Sequence, residues 1–514
     1  MTTFDFERLA RHIALAPGPH DEIAVHAPYT GERIASIPAG LEDDVRVAVE
    51  RARAEQPSWA ALSFDQRAQV ILRFHDLLLA RQDEILDLIQ LENGKARTHA
   101  FEEVMDTAVV ARYYARRVKH FLSPKRRMGA LPLLTQTHER RVPLGVAGFI
   151  VPWNYPFNLG MTDAIPALLA GNSVVLKPDP QTSFTALWGI DLLYEAGLPK
   201  DVALVVTGEG PAAGGAIAKF VDFVMFTGSG RTGRTVATQA AERLIGCSLE
   251  LGGKNPMIVL ADADLEAAAD GAVRGCFVGA GQVCISIERI YVEQPVYQAF
   301  LDKFAARTRA VKLGAVFDYS VDVGSMTSAR QVQTAETHVA DALGKGATVI
   351  TGGKRRPDLG PLFYEPTILT GVHEGMILFA EETFGPVVSV YPAANEEAAI
   401  AMANATRYGL SSSVWTRNTT RGARVAARIQ AGSVNVNEAC TATWGSVDSP
   451  IGGMKESGLR GRHGVEGILK FTNSQTVAVQ HWLPVGVPRG VDPATYARVM
   501  TFLLGLLRRF PWLD

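Results

Sequence analysis

From residue 145 to residue 253 the chain alternates short apolar runs with helix-patterned stretches. Gly145-Val-Ala-Gly-Phe-Ile-Val151 is the first run, punctuated by Pro152 and Pro156. Residues 157–170 read as a helix ended by Gly171, and Ser173-Val-Val-Leu176 is a second run stopped by Pro178. Residues 182–196 are again helical, and runs at 202–206, 222–226 and 245–251 complete five strand candidates. Strands alternating with helices predict a doubly wound parallel sheet, and continuous apolar strands fit burial on both faces. A second block, 254–450, repeats the pattern with strand candidates at 258–260, 289–292, 348–350 and 387–391. Helices at 265–277 and 396–404 lie between them. Residues 41–120 read as helices, with Leu77, Leu78, Ile85, Leu88 and Ile89 near helical spacing. The fold class is therefore α/β, with two doubly wound lobes and a cleft between them suited to a small molecule.

Composition narrows the function. A chain of 514 residues splits into at least two domains. Lys plus Arg is 51 against 53 for Asp plus Glu, a net charge of −2. No basic surplus is available for nucleic acid. The start, residues 1–9, lacks a basic segment followed by an apolar run, and no stretch reaches the roughly 18 apolar residues that span a bilayer. The 4 cysteines form no tight pair at zinc-ligand spacing, so no metal is expected. They read as reduced thiols of a cytoplasmic protein. Residues 499–507, followed by Arg508 and Arg509, read as a surface helix packing on the body; the alternative is an interfacial membrane anchor.

Gly228-Ser-Gly230-Arg-Thr-Gly233 follows a strand candidate and opens a helix, the context in which G-x-G-x-x-G signals a dinucleotide. Such glycines let backbone approach phosphate, and the helix N-terminus supplies free N–H groups. The alternative is an ordinary strand-to-helix turn. Glu250, twenty residues after Gly230, sits where the generic pattern places a ribose ligand.

Seven motifs in order resemble the aldehyde dehydrogenase superfamily across residues 25–482. They are Pro152-Trp-Asn-Tyr-Pro156, Lys177-Pro178, Phe226-Thr-Gly-Ser229, Leu249-Glu-Leu-Gly-Gly-Lys254, Gly281-Gln-Val-Cys284, Glu382-Thr-Phe-Gly-Pro386 and Gly452-Gly-Met-Lys-Glu-Ser-Gly458. A narrower likeness is to NADP-using succinate-semialdehyde dehydrogenases of the actinobacterial type. Lys177-Pro-Asp179, Cys284-Ile-Ser-Ile-Glu-Arg-Ile-Tyr291 and Gly360-Pro-Leu-Phe-Tyr-Glu-Pro366 carry it.

The resemblance implies a cofactor lobe from 1–121 and 144–252, a catalytic lobe from 253–451, a β oligomerisation arm from 122–143 and 468–484, and a tail from 485. A homodimer or homotetramer is expected. Cys284 becomes the nucleophile, Asn154 an oxyanion donor and Glu250 the base for water. That role displaces the ribose reading of Glu250 and favours hydrolysis to the free acid. Val151, Trp153, Lys177, Pro180, Gly228, Ser229, Gly233, Leu251, Glu382 and Phe384 would hold the cofactor. NAD-preferring relatives often carry Glu three residues after the lysine; here that position is Pro180. With no carboxylate there to repel a 2′-phosphate, and with Lys177 and Arg231 nearby, NADP is expected over NAD.

Tyr155, Leu159, Thr162, Val278, Trp444 and Ile451 would line the substrate tunnel. Where some succinate-semialdehyde enzymes place carboxylate-holding arginines, this chain has Thr162 and Val278. Succinate semialdehyde is the first expectation by overall likeness; an aliphatic or aromatic aldehyde in an apolar tunnel is the alternative. Two rivals of other classes are an inactive binding or structural member and a cofactor-free thiol acyltransferase. The intact Asn154, Glu250 and Cys284 set opposes the first, and the strand–glycine–helix unit opposes the second.

Overall fold

The structure, a computed structural model, describes residues 2–130, 134–482 and 484–508. Two large sheets organise it. In the six-stranded sheet, Val146–Val151 lies between Ser173–Pro178 and Phe223–Thr227, all parallel. Ala203–Val205 extends one side and Gly246–Glu250 the other. The order therefore reverses between Val146–Val151 and Phe223–Thr227. Ligands of doubly wound sheets bind at such a reversal, outside the carboxyl ends of the strands. Trp153 and Asn154 follow one of these strands, and Gly228 and Ser229 follow the other.

The seven-stranded sheet has Asn255–Val259 flanked by Ile287–Glu293 and Ser411–Trp415, again parallel. Val387–Ala393 and Thr367–Thr370 continue one side and Ser433–Val436 the other. The strand at 348–350 is an antiparallel edge, Thr348–Thr351, pairing with Thr367–Thr370. Both sheets are covered on both faces: every residue of Ser173–Pro178 and of Asn255–Val259 is buried. Four helices, Glu42–Ala61, Phe64–Ala80, Gln82–Asn93 and Arg97–Leu122, occupy the predicted helical stretch. A hairpin of Glu22–His26 and Arg33–Pro38 precedes them.

A third, antiparallel sheet has Thr135–Pro143 between Lys125–Arg127 and Thr472–Gln480. Thr472–Gln480 is an edge strand, exposed along nearly its whole length. The helix Pro493–Leu507 differs from expectation. Phe502 is 69% and Leu504 62% exposed, so the helix does not bury its apolar face on the body of this chain. Among the described residues, no helix is long and apolar enough to cross a membrane. Arg509 and the last five residues of the tail lie outside the described residues, as do residues 131–133 of the arm.

Candidate active site

Glu250 ends the strand Gly246–Glu250, and Gly252 and Gly253 set the path of the chain beyond it. A Cβ on Gly252 would come within 2.2 Å of Glu382 Oε2, and one on Gly253 within 2.7 Å of the Cys284 carbonyl oxygen. Only glycine lets this segment pass between the two groups. Asn255 then donates from Nδ2 to the carbonyls of Cys284 and Ser286, each at 2.7 Å. On the cysteine side, Gly281 has φ +71°, and its missing Cβ leaves room for the Gly385 carbonyl. Ala280 adopts φ +57°, a left-handed conformation costing a non-glycine residue on the order of 1 kcal/mol. The nucleophile loop is thus held by main-chain packing.

Asn154 is buried and donates from Nδ2 to Gln282 O at 3.0 Å. A primary amide has two N–H donors, so one remains for a ligand. Its loop is anchored by groups that sequence reasoning missed. Lys95, fully buried, donates to Asn154 O and to Glu103, both at 2.6 Å, and its ammonium lies 3.7 Å from the Tyr155 ring centroid. Glu103 in turn accepts from the amides of Phe157 and Asn158.

Two cavities meet at Cys284. A tunnel of about 250 Å³ is lined by Asn154, Tyr155, Leu159, Val278 and Trp444, with Glu102 and Asp106 in its wall. A small chamber of about 20 Å³ lies between Cys284, Glu250 and Arg462, and Ile451 borders this chamber, not the tunnel. That volume suits about one water molecule. Thr162 lines neither: its hydroxyl donates to Asn158 O one turn back on the helix Pro156–Leu169. Cys440, read from sequence as packing, borders both cavities.

Burial pushes the Glu250 carboxyl up to about 7, opposed by the Arg462 and Lys470 charges. Burial, then the Glu250 charge, pushes the Cys284 thiol up to about 12. The two groups resist being anionic together. Glu250 is suited to take and return a proton near neutral pH.

On the other side of Cys284, Glu382 accepts from the Gly253 amide at 2.8 Å. Trp153 and Phe384 meet edge to face at 5.6 Å. The buried pair Lys254–Glu288 holds the loop, Glu288 accepting from the Thr383 and Phe384 amides. Ser229 caps the helix Gly230–Glu242, accepting from Thr232 N. Gly228 packs against the Phe226 ring and Gly233 against the Leu251 side chain. Val151 is buried at the end of its strand. Lys177 is 4% exposed, and no hydrogen bond or ion pair ties its amino group among the described residues. Burial lowers its pKa. Pro180 opens the turn after it. The charges of Asp179 and Glu209 act on Lys177 and oppose that lowering.

The aldehyde dehydrogenase family profile matches residues 16–477. The chain belongs to the aldehyde dehydrogenase family. This aldehyde dehydrogenase is 48% identical over 508 residues to a protein of Mycolicibacterium smegmatis named "Putative succinate-semialdehyde dehydrogenase (NADP(+))". The match covers 99% of this chain and 98% of that one. A solved NADP-dependent enzyme of E. coli superposes with a TM-score of 0.87 at 33% identity, covering 93% of this chain and 100% of that one. Betaine aldehyde dehydrogenase of Staphylococcus aureus, solved in complex with NAD+, gives 0.87 at 31% identity, covering 92% and 94%. The mixed α/β fold with two sheet-containing lobes is that of solved aldehyde dehydrogenases.

Proposed function

We propose that this protein oxidises an aldehyde to its carboxylic acid with NADP, through a covalent intermediate on Cys284. The observation that carries this reading is the convergence of Asn154, Cys284 and Glu250 on two cavities that share the thiol. The Cys284 thiol gives its proton to solvent water, and the thiolate sulfur adds to the aldehyde carbon arriving by the tunnel. The free N–H of Asn154 stabilises the oxyanion that forms. NADP, when bound, would supply the hydride acceptor; loss of hydride from the former aldehyde carbon then leaves a thioester on the Cys284 sulfur. Glu250 then takes a proton from water in the chamber, the water oxygen attacks the thioester carbon, the C–S bond breaks and the acid departs. Asn154→Ala is expected to lower kcat by roughly 10²–10³. Wild-type turnover in that variant, measured by nicotinamide absorbance, would remove Asn154 from the oxyanion site.

The residues present fit a dinucleotide. A helix N-terminus lies at the strand-order reversal, Lys177 at the end of Ser173–Pro178 has an amino group uncommitted among the described residues, and Glu382 is fixed by the Gly253 amide. We assign Lys177 to the adenosine ribose, Trp153 and Ser229 to the diphosphate, and Glu382 with Phe384 to the nicotinamide end. The first lobe binds the cofactor and the second carries the nucleophile. NADP is supported by the name of the M. smegmatis relative, while NAD+ bound in the S. aureus structure keeps NAD as a second cofactor.

For the substrate, the relative's name supports succinate semialdehyde. The tunnel favours a second reading. Among the described residues its lining holds Glu102 and Asp106 and no lysine or arginine, and a buried carboxylate without a cation is costly. That wall suits an uncharged aliphatic or aromatic aldehyde. Measuring kcat/KM for succinate semialdehyde, hexanal and benzaldehyde, each with NADP and NAD, decides. A higher value with NADP is expected; a strong NAD preference would sink the cofactor assignment. Succinate semialdehyde turning over well above both neutral aldehydes would eliminate the second reading.

The exposed edge of Thr472–Gln480 supports a homo-oligomer, because unpaired strand edges seek partners. A cytoplasmic setting fits the four free cysteines.

A further inference from the structure

Behind the base lies a cation that none of the proposed catalytic steps uses. Arg462 is 3% exposed, and its backbone exchanges hydrogen bonds with Ile451. Its Nη2 lies 3.0 Å from Asp163 Oδ2 and its Nε 3.9 Å from Glu250 Oε1. Arg462 Nε and Nη1 are buried without a hydrogen-bond partner, and so is Glu250 Oε1. The guanidinium lies 5.5 Å from the Trp444 ring centroid and borders the chamber with Cys284 and Glu250.

The charges here do not balance without Glu250. Asp163, on the helix Pro156–Leu169, faces both Arg462 and Lys470, whose Nζ is 3.0 Å from Asp163 Oδ1. Asp106, on the helix Arg97–Leu122, also acts on Arg462, but burial holds its carboxyl above the usual range, so the guanidinium, which does not shed its proton, is left short of counter-charge. His463, beside Arg462, is held neutral by burial. Cys284 faces Glu250 from its own loop, with Glu382 beyond it. Among these groups, an ionised Glu250 is the one that neutralises the cluster.

We propose that Arg462 is a positioning residue for the hydrolytic step: its free Nε and Nη1 orient the Glu250 carboxylate and keep it ionised, and Asp163 tempers that field. The inference rests on the reading of Glu250 as base. The charge of Arg462 is also the leading influence opposing the upward push of burial on Glu250.

The test is the pH profile of kcat together with the first-turnover burst of reduced cofactor. In Arg462→Gln the acid limb is expected to move up by about one pH unit or more, slowing hydrolysis at pH 7 at least about fivefold while the burst persists. Arg462→Lys should keep the limb near its wild-type position. Asp163→Asn should move it down, because the arginine then faces Glu250 alone. Opposite shifts cannot come from general loosening of the core. An unmoved limb in folded Arg462→Gln, or shifts of the same sign in Arg462→Gln and Asp163→Asn, would overturn the proposal. If Arg462→Gln does not fold, Arg462→Lys and Asp163→Asn decide by the same signs. The base reading fails separately: an acid limb that survives in Glu250→Gln removes it. A limb lost in Glu250→Gln but unmoved in Arg462→Gln removes only the arginine's role.

Discussion

Cys284→Ala is expected to lower dehydrogenase turnover by at least about 10⁴-fold, the scale on which removing a covalent nucleophile acts. The physical reason is position. Cys284 borders both the tunnel that admits substrate and the chamber beside Glu250. Its main chain is pinned by Asn255 and by the absence of a side chain at Gly253. Cys440 also borders both cavities, but burial and the neighbouring Glu438 and Glu102 push its thiol still higher. The check is nicotinamide absorbance alongside intact-protein mass after brief exposure to aldehyde and cofactor. An acyl adduct on Cys440, or retained turnover in Cys284→Ala, would overturn the assignment.

Glu250→Gln should separate the two halves of the reaction. The amide cannot take a proton from water, so steady-state turnover is expected to fall by roughly 10²–10⁴. Acylation does not need that proton transfer, so a burst of about one reduced cofactor per site should survive. In wild type, Glu250 titrates at about 7. Below that pH it is protonated and cannot act as base, so kcat should rise through about pH 7. Loss of the burst together with turnover would show that Glu250 serves acylation as well.

Much of this was legible in the sequence because it is local. The runs at Val146–Val151 and Ser173–Pro178 are largely apolar, and helices such as Leu265–Phe277 and Glu396–Asn404 carry clear boundaries. Gly252 and Gly253 stood in the sequence only as part of the Leu249–Lys254 motif, which does not say that one passes Glu382 and the other Cys284. What escaped reading depends on pairs far apart in the chain. Arg462 meets Asp163 across most of the chain, and Asp106 and Glu102 reach the tunnel wall from a helix whose pattern says only that it is half buried. Glu209 came to Lys177 in the same way, from the turn after a different strand. Thr162 was assigned to the tunnel through the resemblance, but the helix turns its hydroxyl back onto the Asn158 carbonyl. The tail helix has the apolar content of a packed element, and only its exposure separates it from one.

The side chains that meet the substrate and those that carry out chemistry stand on different supports. Cys284 is held by Asn255 and by the glycines that follow Glu250, where an added Cβ collides with Glu382 or with the Cys284 carbonyl. The tunnel wall is built largely from side chains such as Met105, Val109, Leu159 and Val278, on helices and at a helix end, where volume can change without moving the nucleophile. Such a division lets a lineage exchange one aldehyde for another through a few wall substitutions while inheriting its reaction unchanged. It also marks where a designer should begin: at positions 105, 109 and 278, leaving the glycines alone.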